Sequence, residues 1–281
     1  MEAKPLAVGC GNAISCYVTL SDLDKFCLWE AYGSRTETAS TTPTPMTTRR
    51  NQTTANYPWA KFIDAINQTH GIGVTAPAYR DFVKVHVQAM DAMDPTGMSW
   101  GVHTMRMSGG MLMEGINFLS WHRWFVLQME KRLQAIHPEI YIPYWDAVTD
   151  RAIPAALKDK KLLKSWGVTR GNWTPSQLAS PGDVTAFSQI HTFQTFQRTL
   201  EGAVHAGVHN AVGGDMASAS SPSDPLFWLH HANIDRLWSM WQKKNKAQKP
   251  ANVADSLQPL PLFGVTVGSV QSISALGYKY A

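Results

Sequence analysis

His205-Ala-Gly-Val-His209 sets two imidazoles one helical turn apart, close enough to chelate a single metal ion from one helix face. A zinc protease would carry Glu after the first of these histidines, and Ala206 stands there instead. A di-iron carboxylate bundle would carry Glu three residues before its histidines, and none of this chain's ten histidines has one there. Imidazoles without acidic ligands favour copper over zinc, iron or nickel. His231 joins the pair from a second helical stretch, and His86, His103 and His122 form another three-histidine group. A single histidine in an apolar stripe is more often a hydrogen-bonded core residue than a ligand. Six together, on the inner faces of four helices and on the loop that carries His103, are poorly explained that way, and they imply a binuclear copper site.

Four amphipathic stretches must position these residues. Ala78 to Met93 carries Phe82, Val83, His86, Ala89, Met90 and Met93 at helical spacing. Asn117 to Ile136 repeats Phe118, His122, Phe125, Met129, Leu133 and Ile136 before Pro138 ends it. Phe193 to Val212 reads as one helix closed by Gly213-Gly214. Ser221-Pro-Ser-Asp-Pro225 opens the last, which runs to about Lys244 with Phe227, His231, Ile234, Trp238 and Trp241 on one stripe. The expected fold is mainly α, an antiparallel four-helix bundle with long loops and a few short strands. A further helix is expected from Pro58 to Thr69 and a short one from Ser21 to Tyr32. Ile140 to Trp145 reads as extended, 146–185 as irregular, and the chain after Lys249 as Pro-rich and then extended.

Composition sets the bounds. The 281 residues are 44 % hydrophobic and 16 % charged, with 11 Trp, which allows a sizeable core and argues against disorder. The net charge is +4, and the basic residues read as scattered apart from Lys243-Lys244-Asn-Lys246 at a helix end, so no nucleic-acid partner is expected. No apolar run approaches the ~18 residues of a membrane span. Cys10, Cys16 and Cys27 cannot all pair within the chain and lack a CxxC spacing. Sequons at Asn51, Asn67 and Asn172 matter only in a secreting eukaryote. No convincing signal peptide opens the chain, which leaves a soluble protein of the cytoplasm or a secreted mature chain.

The motifs resemble those of tyrosinases, catechol oxidases and molluscan hemocyanins, the binuclear copper proteins with two three-histidine sites. Phe118-Leu-Ser-Trp-His-Arg-Trp-Phe125 is similar to the family's first-site signature. Glu201 to His209, Val212-Gly-Gly-Asp-Met216 and Ser223 to Arg236 are similar to the second. Arg49-Arg50-Asn51 resembles the opening arginine segment, and Tyr278-Lys-Tyr280 the Tyr-x-Tyr that closes the catalytic core. The resemblance covers about 49–281. It implies a 1–48 extension and linker, a 49–281 copper domain, and no C-terminal shielding domain.

By that resemblance His86, His103, His122, His205, His209 and His231 bind two copper ions per chain, with O2 as co-substrate. His230 lies about 100° around the helix from His231. It is expected in a supporting shell with Phe227, Asp235, Arg236 and Asn210, while His70, His137 and His191 are structural. Glu201 either orients a water that takes a phenol proton or hydrogen-bonds a ligand histidine. The chain departs from the pattern in three ways. The step from His103 to His122 is long. Gly101 sits where some members have the Cys of a Cys-x-His thioether. Ala206 stands where many monophenol hydroxylases have Asn. Met105, Met107, Met111 and Met113 in the inserted loop either hand in Cu(I) or simply pack. The resemblance implies a phenol oxidase acting on small o-diphenols or o-aminophenols, with slower monophenol hydroxylation. A hemocyanin-like oxygen carrier and a helical bundle with adventitious zinc are its rivals.

Overall fold

The computed structural model describes residues 46–71, 78–91, 100–106, 112–258 and 264–281. The three cysteines, the 21–32 helix, almost all of the N-terminal extension, and Met107 and Met111 lie outside them. The helices that are described follow the apolar periodicity. They are α1 (Trp59–His70), α2 (Tyr79–Asp91), α3 (Phe118–Gln134) and α8 (Leu226–Lys244), within a residue or two of expectation. The Asp224 carboxylate accepts the Leu226 amide and so starts α8, and Lys243 and Lys244 end it, where cations complement the carbonyl end. No helix among the described residues is long and apolar enough to cross a membrane.

Two expectations are corrected. The stretch 146–185, expected to be irregular, contains α4 (Lys160–Ser165) and most of α5 (Pro181–Phe187), the latter held by a Ser180/Asp183 capping box. These helices are too short to show a 3.6-residue period. The single helix expected over Phe193 to Val212 is instead α6 (Phe193–Thr199), one wide π turn (Leu200–His205) and α7 (Ala206–Val212). The Ala206 amide reaches back five residues to the Glu201 carbonyl, which also accepts from the His205 ring. Such turns re-aim side chains at functional sites. At Gly207 a Cβ would lie 2.6 Å from the Gln177 carbonyl oxygen, so only glycine lets the 174–179 loop press on α7.

The main core lies among α1, α2, α3 and α8, with Trp121, Trp145 and Trp228 fully buried. A second cluster joins Phe118 to Phe193, Phe196, Trp238 and Trp241. The few strands are short. The pair β2 (Met105–Arg106) and β3 (Leu112–Met113) is antiparallel, and β1 (Thr47–Arg49) lies parallel to β4 (Tyr278–Tyr280). The second pairing fastens the C-terminal segment to the start of the domain. Behind it Arg49 forks onto Glu130, and Asp235 takes Arg123, Tyr278 and Tyr280. Arg49, not the exposed Arg50, meets the closing tyrosines.

Candidate metal centre

Helix α2 brings His86, the following loop His103 and α3 His122, all at most 8 % exposed. The π turn and α7 bring His205 and His209, their rings 4.4 Å apart, and α8 brings His230 and His231. Donor atoms of His86, His103 and His122 lie within 4.8 Å of one another, as do those of His205, His209, His230 and His231. The two groups face each other. His231 stacks on His122 at 4.2 Å and 14°, and His205 lies 5.5 Å from His103. The ring contacts of His230, by contrast, are with His205, His209 and His231.

Hydrogen bonding points these rings inward. The Nδ1 of His86 meets the Ala219 carbonyl at 2.7 Å, and that of His122 the Phe118 carbonyl at 2.9 Å. His205 and His209 pair in the same way with the carbonyls of Glu201 and Met216. A carbonyl can only accept, so the proton sits on Nδ1 and the lone pair on Nε2. The Nε2 atoms of His86, His103, His122, His205, His209 and His231 are buried with no hydrogen-bond partner among the described residues, and so is that of His230. Buried polar atoms are otherwise nearly always paired. Burial, helped by neighbouring imidazoles that disfavour a further charge, holds His86, His122, His205, His230 and His231 well below the usual histidine range. Burial takes His209 down to about 4. Neutral imidazoles with bare, convergent Nε2 atoms are what an all-nitrogen copper site requires.

The surroundings match the expected set only in part. Phe227 is fully buried and lies 4.1 Å from His231 and 5.2 Å from His86. Asp235 and Arg236 sit one turn beyond, but their bonds go elsewhere. Asp235 joins the tail cluster, while Arg236 bonds Asn233, pairs with Asp146 at 3.5 Å and lies over Tyr144. Asn210 is exposed and does not join the buried ring around the imidazoles. His137 bonds Asp64, His191 bonds Asn245, and His70 stacks on Tyr79. Phe118 was noted in the sequence only as part of an apolar stripe and a motif. Its ring touches His103, His122 and His205. A residue four before His122 on a helix must lie against it, and that spacing was the available signal.

Glu201 is 8 % exposed, and Thr104 occupies both its oxygens, through the amide at 2.7 Å and the hydroxyl at 2.7 Å. The Thr104 hydroxyl also accepts the Gly115 amide, and Glu201 Oε1 lies 3.6 Å from His103 Nδ1. His103 is the one ligand candidate on a loop, and this carboxylate ties that loop to the π turn. Thr104→Val is therefore expected to weaken metal binding at the His86, His103 and His122 group by ~10–100-fold, as loss of a group behind a ligand does. Stepwise chelator extraction checks this, since the second group should keep its affinity. Equal retention at both groups would contradict the role.

A family model described as the common central domain of tyrosinase matches residues 76–184 and 163–244. A tyrosinase from Streptomyces lincolnensis is 29 % identical over 72 % of this chain and 84 % of its own length. Among solved structures, a functional unit of octopus hemocyanin superposes with a TM-score of 0.62 at 23 % identity, over 83 % of this chain and 68 % of that one. A polyphenol oxidase from Thermothelomyces thermophila superposes with a TM-score of 0.59 at 17 % identity, over 93 % of this chain and 97 % of that one.

Proposed function

The chain belongs to the tyrosinase family, and from that premise we propose that it is a phenol oxidase holding two copper ions, one on His86, His103 and His122 and the other on His205, His209 and His231. It is a tyrosinase-type copper oxidoreductase. The proposed reaction oxidises o-diphenols to o-quinones, with o-aminophenols as a second substrate class giving the corresponding quinone imines, while O2 is reduced to water. The observation that carries this reading is the ring of imidazoles whose buried Nε2 atoms have no partner among the described residues. Copper, when bound, supplies the electron exchange between phenol and O2. The chain supplies the rest. Backbone carbonyls fix four ring orientations, and Phe118 and Phe227 wall the site with apolar rings. Glu201, held by Thr104, keeps the His103 loop in place. Copper-dependent O2 consumption on adding catechol tests the function. Reversible O2 binding without turnover would establish the carrier reading instead.

The same geometry bears on substrate preference. Hydroxylating a monophenol requires removal of a proton with a pKa near ~10. Both Glu201 oxygens are engaged by Thr104, and Ala206 offers no side chain to hold a water. A diphenol makes no such demand before oxidation, so diphenol oxidation is expected to outpace monophenol hydroxylation. Ala206→Asn should raise the monophenol-to-diphenol rate ratio, by less than the ~100-fold of a well-placed general base. Parallel assays of tyrosine and its catechol counterpart check it, and an unchanged ratio counts against the argument.

A further inference from the structure

Lys158-Asp-Lys-Lys-Leu-Leu-Lys-Ser-Trp-Gly-Val-Thr-Arg170 packs five cations around a single acid, so the basic residues are not scattered as expected but form a second cluster. The fold wraps this stretch around an open cavity of ≈ 950 Å³. Its lining includes Lys158, Lys160 and Lys164, and no Asp or Glu. Asp159 looks away. Its carboxylate caps α4 through the Lys161 and Leu162 amides, and it borders a neighbouring depression together with Lys161. The Arg170 charge is answered by Asp224 at 2.5 and 2.7 Å. None of the three lysines has an ion-pair partner among the described residues. Beside Thr169, Arg170 and Asn172, the wall has an apolar part made of Ile153, Leu163, Val168 and the half-buried Trp173, whose indole leans on buried Trp145 at 6.0 Å.

We propose that this cavity binds an aromatic acid, its ring laid on Trp173 and its anionic group among Lys158, Lys160 and Lys164. Each half of the lining selects one half of such a ligand. Uncompensated ammonium groups favour an anion. A half-buried indole with aliphatic neighbours gains from covering by a flat apolar body. A fully hydrated inorganic anion would leave that apolar wall exposed, and a neutral arene would leave the lysines unanswered. The site is separate from the metal centre, but its back wall braces it. Thr169 exchanges hydrogen bonds with Asp215, Gly171 donates to the Val212 carbonyl, and Arg170 grips the Asp224 that starts α8. Gly214, at φ +59°, lies so close that a Cβ there would come within 2.4 Å of the Thr169 carbonyl oxygen.

The test is calorimetric titration of the copper-loaded protein with 2-naphthoate, which has no phenol hydroxyl to be oxidised, and with neutral 2-naphthylmethanol. Naphthoate should bind saturably at one site, and the alcohol about tenfold or more weaker. Lys158→Glu/Lys164→Glu should weaken naphthoate about tenfold or more with catechol turnover unchanged, because each exposed charge contact contributes modestly. Raising the salt should weaken it in the parent. Lys243→Glu/Lys244→Glu makes the same charge change at the far end of α8 and should leave the affinity unaltered. Equal affinity in the 158/164 variant, or an equal loss in the 243/244 variant, would overturn the proposal.

Discussion

Replacing His231 by Ala is expected to leave one copper per chain instead of two and to reduce catechol turnover below about 1 % of the parent's, while the helices persist. Donor chemistry alone does not choose between the adjacent histidines of α8, because His230 and His231 both present a buried Nε2 without a partner among the described residues. Position does. A binuclear site must lie between the two groups, and His231 is the member of the pair whose ring reaches across, stacked on His122 at 4.2 Å. The His230 ring is stacked on His205 at 5.6 Å, behind the second group. Removing a ligand should therefore cost more than the ~10–100-fold that follows loss of a group behind a ligand. His230→Ala should stay within that smaller range and keep both coppers. Metal analysis, catechol-dependent O2 uptake and far-ultraviolet circular dichroism on the two variants decide the matter. Two coppers in His231→Ala with one in His230→Ala would reverse the assignment.

The sequence carried the helices and the ligand candidates because both follow one rule. A buried face recurs every three or four residues, and a histidine on that face points where the apolar residues point. His86, His122 and His231 were legible for that reason, and His205 with His209 through their one-turn spacing. The π turn was not legible. Thr199 to Ala206 has no Pro, and its one Gly also fits an α-helix, so local pattern favours the commoner form. Nor was the Thr104 hold on Glu201, since 97 residues separate the pair and nothing local marks it. For Asp235 the sequence told the position but not the partners. Its helical position beyond His231 was right, but on α8 four residues turn the side chain only roughly 40° and carry it ~6 Å along the axis. It therefore meets the arginines and tyrosines of the tail rather than an imidazole. The cations of 158–170 are clustered in the sequence, but only the fold shows that Lys158, Lys160 and Lys164 line a cavity while Asp159 caps α4.

Asp235→Ala is expected to be the most damaging single change to stability outside the metal centre. The carboxylate is 3 % exposed. It accepts from Arg123 at 2.5 Å and from the hydroxyls of Tyr278 and Tyr280 at 2.7 Å each, with Arg49 at 3.5 Å. Burial by itself would raise its pKa, yet the two guanidinium groups and two hydroxyls prevail and hold it below the usual carboxylate range. Arg49 and Arg123 are themselves fully enclosed, and Arg49 keeps Glu130 whereas Arg123 loses the one carboxylate it pairs with among the described residues. Breaking a buried pair from one side costs about 3–5 kcal/mol, a large part of the ~5–15 kcal/mol that holds a domain together. Tyr280→Phe removes the hydroxyl that donates to Asp235 and accepts from Arg49 and should cost about 1.5–3 kcal/mol or more. The sign with pH follows from the depressed pKa. The ionised carboxylate stabilises the fold fully above the unfolded value of ~3.9, and that contribution is lost as pH falls toward the lower folded value. The deficit of Asp235→Ala should thus be constant from neutral pH down to about 4 and shrink only below it. Urea unfolding of the parent and both variants at pH 7 and pH 3 measures each term. A variant as stable as the parent at pH 7, or a deficit that grows on acidification, would show that Asp235 does not hold the tail to the bundle.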